Sequence, residues 1–442
     1  MASKLASEFD QLVADALAHH KGGRLDEAEA AYRDALGLSP GHVAITHNLG
    51  VLAAAKGQPG AAIGHFDDAI ATEPQYASAH YNRAIALQAL GRPRDAIHSF
   101  ARVVALEPGH YGAHRALGFL YLAEGDRGRS LDHFARTYEL RRGEDRSDIA
   151  TRSLTETTRG KLQHDAAQFR YLSERRRDRQ RFEALARNYE AVAKGVAEEA
   201  APLSDQQLDA IGEDYNTAIH ISSAPELDGP AVSEQLDRDA IMQRFQERQA
   251  AWFDGLLTLP ALLGLKRFLL ESTIWHDFSH IGGFVASYLE DGLACPLLLQ
   301  IADEIRGAFP TLLGEHPLSQ AWAFKGLEAK AAIDVHADDA AVSINFWVTP
   351  SEANRKPDHG GLIVCLAPPP AAWEVRDYHS DKDAIAAFLQ RHATDSLVVP
   401  YRENRAVLFQ SRLFHHSDAP DFAPGYQNHR INLTLLFGRH AD

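Results

Sequence analysis

The sequence predicts a multidomain protein, an all-α repeat solenoid followed by an α+β domain whose short strands form a barrel or jelly roll. Length is the first reason: 442 residues exceed one ordinary domain. A second is a period of 34 residues through the first third, and a third is the run of short β-branched and aromatic segments after residue 320.

The period is carried by four columns in one register. Gly23, Gly57, Gly91 and Gly125 form one, and Pro40, Pro74 and Pro108 another. Tyr32, Phe66, Phe100 and Phe134 keep the same interval, as do Ala28, Ala62, Ala96 and Ser130. Each unit reads as two helices with a glycine-marked turn. The small residue lets the helices approach, the aromatic fills the space behind, and proline ends the second helix. The pattern over residues 7–142 resembles four tetratricopeptide repeats, with Asp15 and Arg83 at a position that is usually apolar. The resemblance implies a curved solenoid holding an extended peptide. Asn48 and Asn82, 34 apart in first helices, are candidate peptide-binding residues, because a carboxamide both donates to and accepts from a backbone. His47, Tyr81 and Arg115 align similarly.

Residues 143–203 lose the period and alternate charge with apolar residues at helical spacing, which predicts a helical connector of one or two long helices. The arginines between Arg175 and Arg181 read as a solvated helix face. Residues 204–442 form the last domain. "IMQRFQERQAAWFDGLLTLPALLGLKRFLLES" and "CPLLLQIADEIRGAFPTLL" have helical periodicity, whereas "SINFWVTP", "GGLIVCLAP", "AVLFQS" and "RINLTLLFG" read as strands.

Composition narrows the function. A net charge of −15 argues against nucleic acid or an anionic membrane as partner. Two cysteines make no disulfide framework, and no 18-residue apolar run occurs. The opening "MASKLASEFDQLVADAL" has acids where a secretory signal is apolar. A soluble, cytoplasmic protein is expected.

The chemistry is expected in the strand-rich region. The pattern His-x-Asp occurs five times, but only His336 and Asp338 stand between two predicted strands. His379 and Asp381 open a helix that Ser380 or Asp381 would cap. His415 follows 79 residues after His336, and then Arg430 at the start of a strand. Two imidazoles and one carboxylate on one face match the ligand set of non-haem Fe(II) oxygenases. An arginine deeper in the barrel grips a dicarboxylate by two hydrogen bonds, which implies 2-oxoglutarate.

"HADDAAVSINFWVTPSEAN", "GGLIVCLAPPPAAW", "VPYRENRAVLFQSRLFHHSD" and "GYQNHRINLTLLFG" together resemble the Fe(II)- and 2-oxoglutarate-dependent dioxygenase superfamily over about residues 250–440. More narrowly, they are similar to the bacterial group that joins this domain to tetratricopeptide repeats. The resemblance implies a double-stranded β-helix (jelly-roll) core, metal binding and catalysis by His336, Asp338 and His415, and 2-oxoglutarate binding by Arg430. His416 competes with His415, and the match of "FQSRLFH" favours His415. Many relatives carry Ser or Thr two residues past the arginine, where this chain has Asn432. Asn345 and Asn432 are the candidates for cofactor support.

The expected function is hydroxylation by molecular oxygen of a protein or peptide recruited by the repeats. One alternative is a protein-binding scaffold with a silent barrel. Another is a small-molecule hydroxylase that uses the repeats for assembly.

Overall fold

The structure is a computed structural model that describes residues 2–143, 155–279, 283–370, 373, 381–392 and 395–439. The chain divides into two compact units, Met1–Leu120 and Tyr121–Asp442.

The first unit is helical. Helices α1 (Ala2–Lys21), α2 (Leu25–Leu38), α3 (Val43–Ala55), α4 (Pro59–Thr72), α5 (Ala77–Ala89) and α6 (Pro93–Leu106) lead into α7 (Tyr111–Ala123), which crosses the boundary, and α8 (Arg127–Arg142). The four column glycines take positive φ between +67° and +78°, a left-handed turn that glycine enters without a Cβ clash. Pro40, Pro74 and Pro108 each lie two residues beyond a second helix, where chain continuation as helix is blocked. Ala28, Ala62, Ala96 and Ser130 are fully buried, and Tyr32, Phe66, Phe100 and Phe134 are at most 1% exposed. Arg83 is accommodated at its usually apolar position because its guanidinium donates to Asp67 at 2.6 Å and to Ser99 at 2.7 Å.

The second unit takes in α8. Arg142 is buried and holds Asp291 through two N–H donors at 2.9 and 2.8 Å. The Tyr138 hydroxyl donates to the Thr273 carbonyl at 3.1 Å and lies 2.8 Å from His276 Nε2. The connector folds as two helices, α9 (Arg159–Ser173) and α10 (Arg179–Ala193), flanked by short strands β1 (Glu156–Thr157) and β2 (Ala201–Pro202). They pair along a core that contains Phe169, Phe182 and Tyr189. The arginine run spans the turn between them and the first residues of α10, and is mostly exposed. Arg176 differs, being half-buried on Glu271 and Ser222.

Helices α11 (Asp205–Ile211) and α12 (Arg238–Arg248) precede β3 (Ala250–Asp254), and α13 (Leu259–Glu271) follows it. The continuous helix suggested by residues 241–272 is therefore broken by a strand. Gln249 takes a left-handed conformation with φ +56°, ending α12, and residues 250–254 pair with a remote strand instead. Next come β4 (Phe284–Tyr288), α14 (Pro296–Ala308), the single turn α15 (Pro310–Leu313), β5 (Leu318–Gly326), β6 (Val342–Trp347) and β7 (Leu362–Cys365). Helix α16 (Lys382–Arg391) is capped by Asp381, whose carboxylate accepts from the Ala384 N–H. Strands β8 (Ser396–Val399), β9 (Arg405–Gln410), β10 (His415–Ser417) and β11 (Ile431–Phe437) complete the unit.

These strands form two antiparallel sheets, one in the order β3-β9-β6-β11-β5-β4 and one in the order β10-β7-β8. Trp347, Val407 and Phe409 of the large sheet share one apolar core with Leu362, Val364 and Val399 of the small one, so the sheets pack face to face. Strands β6 and β11 are buried along their whole length, which explains their near-continuous apolar sequence. Among the described residues, no helix is long and apolar enough to cross a membrane.

Candidate metal centre

His336, Asp338 and His415 converge, each offering one ligand atom, with all three atoms within 4.8 Å of one another. Asp338 Oδ1 lies 3.6 Å from His336 Nε2, and its Oδ2 lies 3.7 Å from His415 Nε2. The two rings stand 4.2 Å apart, centroid to centroid.

The backbone explains the convergence. As expected, His336 stands between two strands, β5 and β6, but the segment that carries it is not itself a strand. Instead residues 333–338 run beside β10, with reciprocal hydrogen bonds between His336 and His415 of 3.1 and 2.9 Å. The Asp338 N–H donates to the Ser411 carbonyl at 2.9 Å. On β10, His415 pairs with Val364 and Ser417 with Leu362, and both partners belong to the core between the sheets. The side-chain period of two therefore turns His415 and Ser417 inward together.

Second contacts set the donor atoms. Nδ1 of His336 lies 2.8 Å from the Asp334 carbonyl, and Nδ1 of His415 lies 3.0 Å from the Leu413 carbonyl. A carbonyl only accepts, so each Nδ1 carries a proton, which leaves Nε2, on the side of Asp338, as the ring atom that could ligate. Burial, reinforced by the neighbouring His336, pushes His415 down to about 4, so its ring is neutral at ordinary pH. Ser343 donates to Asp338 Oδ2 at 2.6 Å and stands 2.8 Å from the Ser411 hydroxyl. Two imidazole nitrogens and one carboxylate suit a divalent first-row metal such as iron, with coordination positions to spare. His416 is not part of the set: its Nδ1 lies 3.0 Å from the Ser417 carbonyl, and strand alternation turns it from His415.

Arg430, Asn345 and Asn432 line the same narrow cavity as His336 and His415. Register places them: Thr434 of β11 pairs with Asn345 on one side and Trp322 on the other, and Asn432 pairs with Phe324. The Arg430 guanidinium is buried and donates to the Ser417 hydroxyl and the Gly361 carbonyl, each at 3.0 Å. Its Nε has no hydrogen-bond partner among the described residues. Burial pulls its pKa down to about 10, which leaves it a cation near neutrality. Among the described residues no carboxylate hydrogen-bonds to it, and the nearby Asp418 only partly offsets its burial, so a buried positive charge borders the cavity without a directly bonded anion. Such a charge calls for an anion. The carbonyl oxygens of Asn345 and Asn432 are also buried, with no hydrogen-bond partner among the described residues. The amide of Asn432 reaches Thr434 at 3.3 Å.

Ser343, Ser411 and Ser417 escaped the sequence reading, since serines in strands carry no spacing signal. The step of two from Ser343 to Asn345 is the sole trace. In the repeats, the Asn82 amide donates to His47 Nε2 at 2.8 Å, and Asn48 is half-buried close to His47 and Tyr32. His47 thereby joins the asparagine positions of neighbouring repeats.

Family models described as Tetratricopeptide repeat match residues 16–42, 47–87 and 81–145. A comparison with curated proteins returns no match. Among solved structures, a MamA fragment from Desulfovibrio magneticus is similar at 23% identity and a TM-score of 0.29, over 31% of this chain and 77% of that one. A further MamA structure is similar at 18% identity and a TM-score of 0.29, over 43% of this chain and 92% of its own. The first tetratricopeptide domain of Spaghetti (RPAP3), bound to an HSP90 peptide, is similar at 23% identity and a TM-score of 0.26, over 27% of this chain and 94% of that one. Tetratricopeptide repeats occupy the N-terminal part of this chain.

Proposed function

We propose that residues 204–442 form an Fe(II)- and 2-oxoglutarate-dependent dioxygenase domain, with the two facing sheets as its double-stranded β-helix core. The supporting observation is that two histidines of a two-histidine, one-carboxylate donor set line the same cavity as a buried guanidinium to which, among the described residues, no carboxylate hydrogen-bonds. Either feature alone has a structural explanation. An inert β-sandwich has no use for both.

In this reading His336 Nε2, Asp338 and His415 Nε2 hold iron, and Ser343 orients the carboxylate. Arg430 receives the distal carboxylate of 2-oxoglutarate, with Nε as the free donor and Ser417 fixing the guanidinium plane. The amide N–H groups of Asn345 and Asn432 support the cosubstrate, whose oxygens only accept. When bound, iron, 2-oxoglutarate and molecular oxygen supply oxidative decarboxylation to succinate and carbon dioxide with oxidation of a substrate carbon. The protein's part is placement and exclusion of water, which Trp322, Phe324 and Leu362 provide around the polar groups. The buried thiols Cys295 and Cys365 fit a reducing cytoplasm.

The test is succinate release by purified protein with Fe(II) and 2-oxoglutarate. Wild type is expected to exceed Asp338→Ala by at least 100-fold, roughly the scale of losing an essential ligand. Arg430→Met is expected to raise half-saturating 2-oxoglutarate by about 100-fold. Equal release by wild type and Asp338→Ala sinks the proposal.

A second reading is favoured by the family matches, which lie entirely in the repeats. There the protein is a protein-binding scaffold with a silent C-terminal domain. Anaerobic titration separates the readings, since a silent domain has no stoichiometric Mn(II) or Fe(II) site. In the combined reading the repeats recruit the protein or peptide that the dioxygenase domain oxidises.

A further inference from the structure

A second hollow opens beside the candidate metal centre. Its wall is aromatic: Phe284 of β4 meets Phe324 of β5 edge-on, with centroids 6.1 Å apart, and Phe324 meets Trp322 at 6.3 Å. Register explains the row, because Tyr288 pairs with Trp322 and Phe284 with Gly326, two residues beyond Phe324. Trp322, Phe324 and His336 border both this groove and the cavity of Arg430, and Asp338 lines the groove as well. A side chain lying along the aromatic wall therefore ends at the donor set.

The polar rim carries one sign of charge. Asp334 and Asp339 line the groove with exposed carboxylates. Two more acids stand behind the lining: Asp277 accepts from the Tyr288 hydroxyl at 3.0 Å, and Glu290 accepts from the Gln320 amide at 3.2 Å. No lysine or arginine lines the groove among the described residues. Aromatic faces bearing negative quadrupoles, set beside carboxylates, attract a cation with an aliphatic stem and repel an anion.

We propose that this groove receives a cationic side chain, lysine or arginine, of a peptide or protein substrate. The proposal rests on the dioxygenase reading in naming the occupant a substrate, although its recognition chemistry stands on the groove alone. The rings hold the methylene stem as any apolar groove would. The acids then distinguish a lysine from an uncharged isostere.

The test uses the full chain and three peptides that differ in one central residue: lysine, norleucine or glutamate. Dissociation constants are measured by calorimetry, without added metal, for wild type and for Asp334→Asn/Asp339→Asn. Both carboxylates are exposed, so the double variant is expected to fold normally. The lysine peptide should bind wild type roughly three- to tenfold tighter than norleucine, glutamate should be weakest, and the double variant should lose most of the lysine preference. The proposal is overturned if norleucine matches lysine, if the preference survives the double substitution, or if no peptide binds saturably at millimolar concentration. Mn(II) titration of the same samples reads the metal centre separately. A lysine preference without metal binding leaves the groove inference standing and removes the dioxygenase reading; metal binding without the preference does the reverse.

Discussion

Asp338 is a buried carboxylate with one hydroxyl donor and two imidazole Nε2 atoms turned toward it. Without a cation a buried carboxylate held by a single hydroxyl is costly, because its charge is poorly compensated in a low-dielectric site. Metal binding is therefore expected to stabilise the fold and to depend on each member. Ser343→Ala leaves the three ligands in place but frees the carboxylate to rotate. It should weaken Mn(II) by about tenfold in anaerobic titration, whereas Asp338→Ala should abolish stoichiometric binding. Comparable affinities in both variants would mean that the carboxylate is not a ligand.

Buried histidines elsewhere make the protein acid-sensitive. Burial holds His164 down to about 3 and His429 down to about 4, below the ordinary 6.5. As pH falls below 6.5 the unfolded chain takes protons that the folded chain refuses. The stabilisation is thus complete above that value and is lost on acidification, by about 2 kcal/mol per imidazole at pH 5. Thermal melts between pH 7 and pH 5 should show this decline, and His429→Gln should flatten it. An unchanged slope in the variant would exclude His429 as a source.

Among the elements, glycines in the repeats separate two kinds of constraint. Gly91 has φ +67° and open space where a Cβ would stand, so Gly91→Ala meets only backbone strain of about 1 kcal/mol. Gly50, inside α3, has ordinary backbone angles but lies 2.5 Å, measured from an added Cβ, from the Phe66 ring. Gly50→Ala must displace that buried ring and should cost about 1–3 kcal/mol. Denaturant unfolding of both variants checks the order, and a larger loss at Gly91 would contradict it. The 34-residue period made the first constraint visible, because four glycines share a column. The second was hidden, since a helix interior gives no sign of which ring lies opposite. Strands β6, β7, β9 and β11 were legible for a similar reason: each carries enough β-branched and aromatic residues to declare itself. Strands β3, β4 and β8 were not. Their extended form depends on pairing with segments far along the chain, β3 with β9 and β4 with β5.

For the whole molecule, the division into compact units bears on how the repeats can be removed. The repeat pattern runs through residue 142, yet the units part at residue 120. Truncation to residues 121–442 keeps Tyr138 and Arg142, and should give a folded protein that retains the metal site. Truncation to residues 143–442 strips Arg142 from buried Asp291 and should cost about 3–5 kcal/mol, the scale of orphaning a buried charge. Melting temperatures of the two fragments, with Arg142→Ala in the full chain as control, test this. Equal stability would place the boundary after α8.

The sequence by itself determined the repeats, the residue types of the donor set and the position of Arg430. Periodicity and rare polar residues amid apolar strands are local signals, readable without coordinates. Only the tertiary structure decided that His336 meets His415 by a single bridge instead of a strand pair, and that α8 belongs with the C-terminal unit. It also decided that three serines stand behind the acid and the guanidinium, and that an acidic aromatic groove borders the site. Those features arise from pairing and packing between distant segments, whose energies depend on which side chains meet across space and leave no period along the chain.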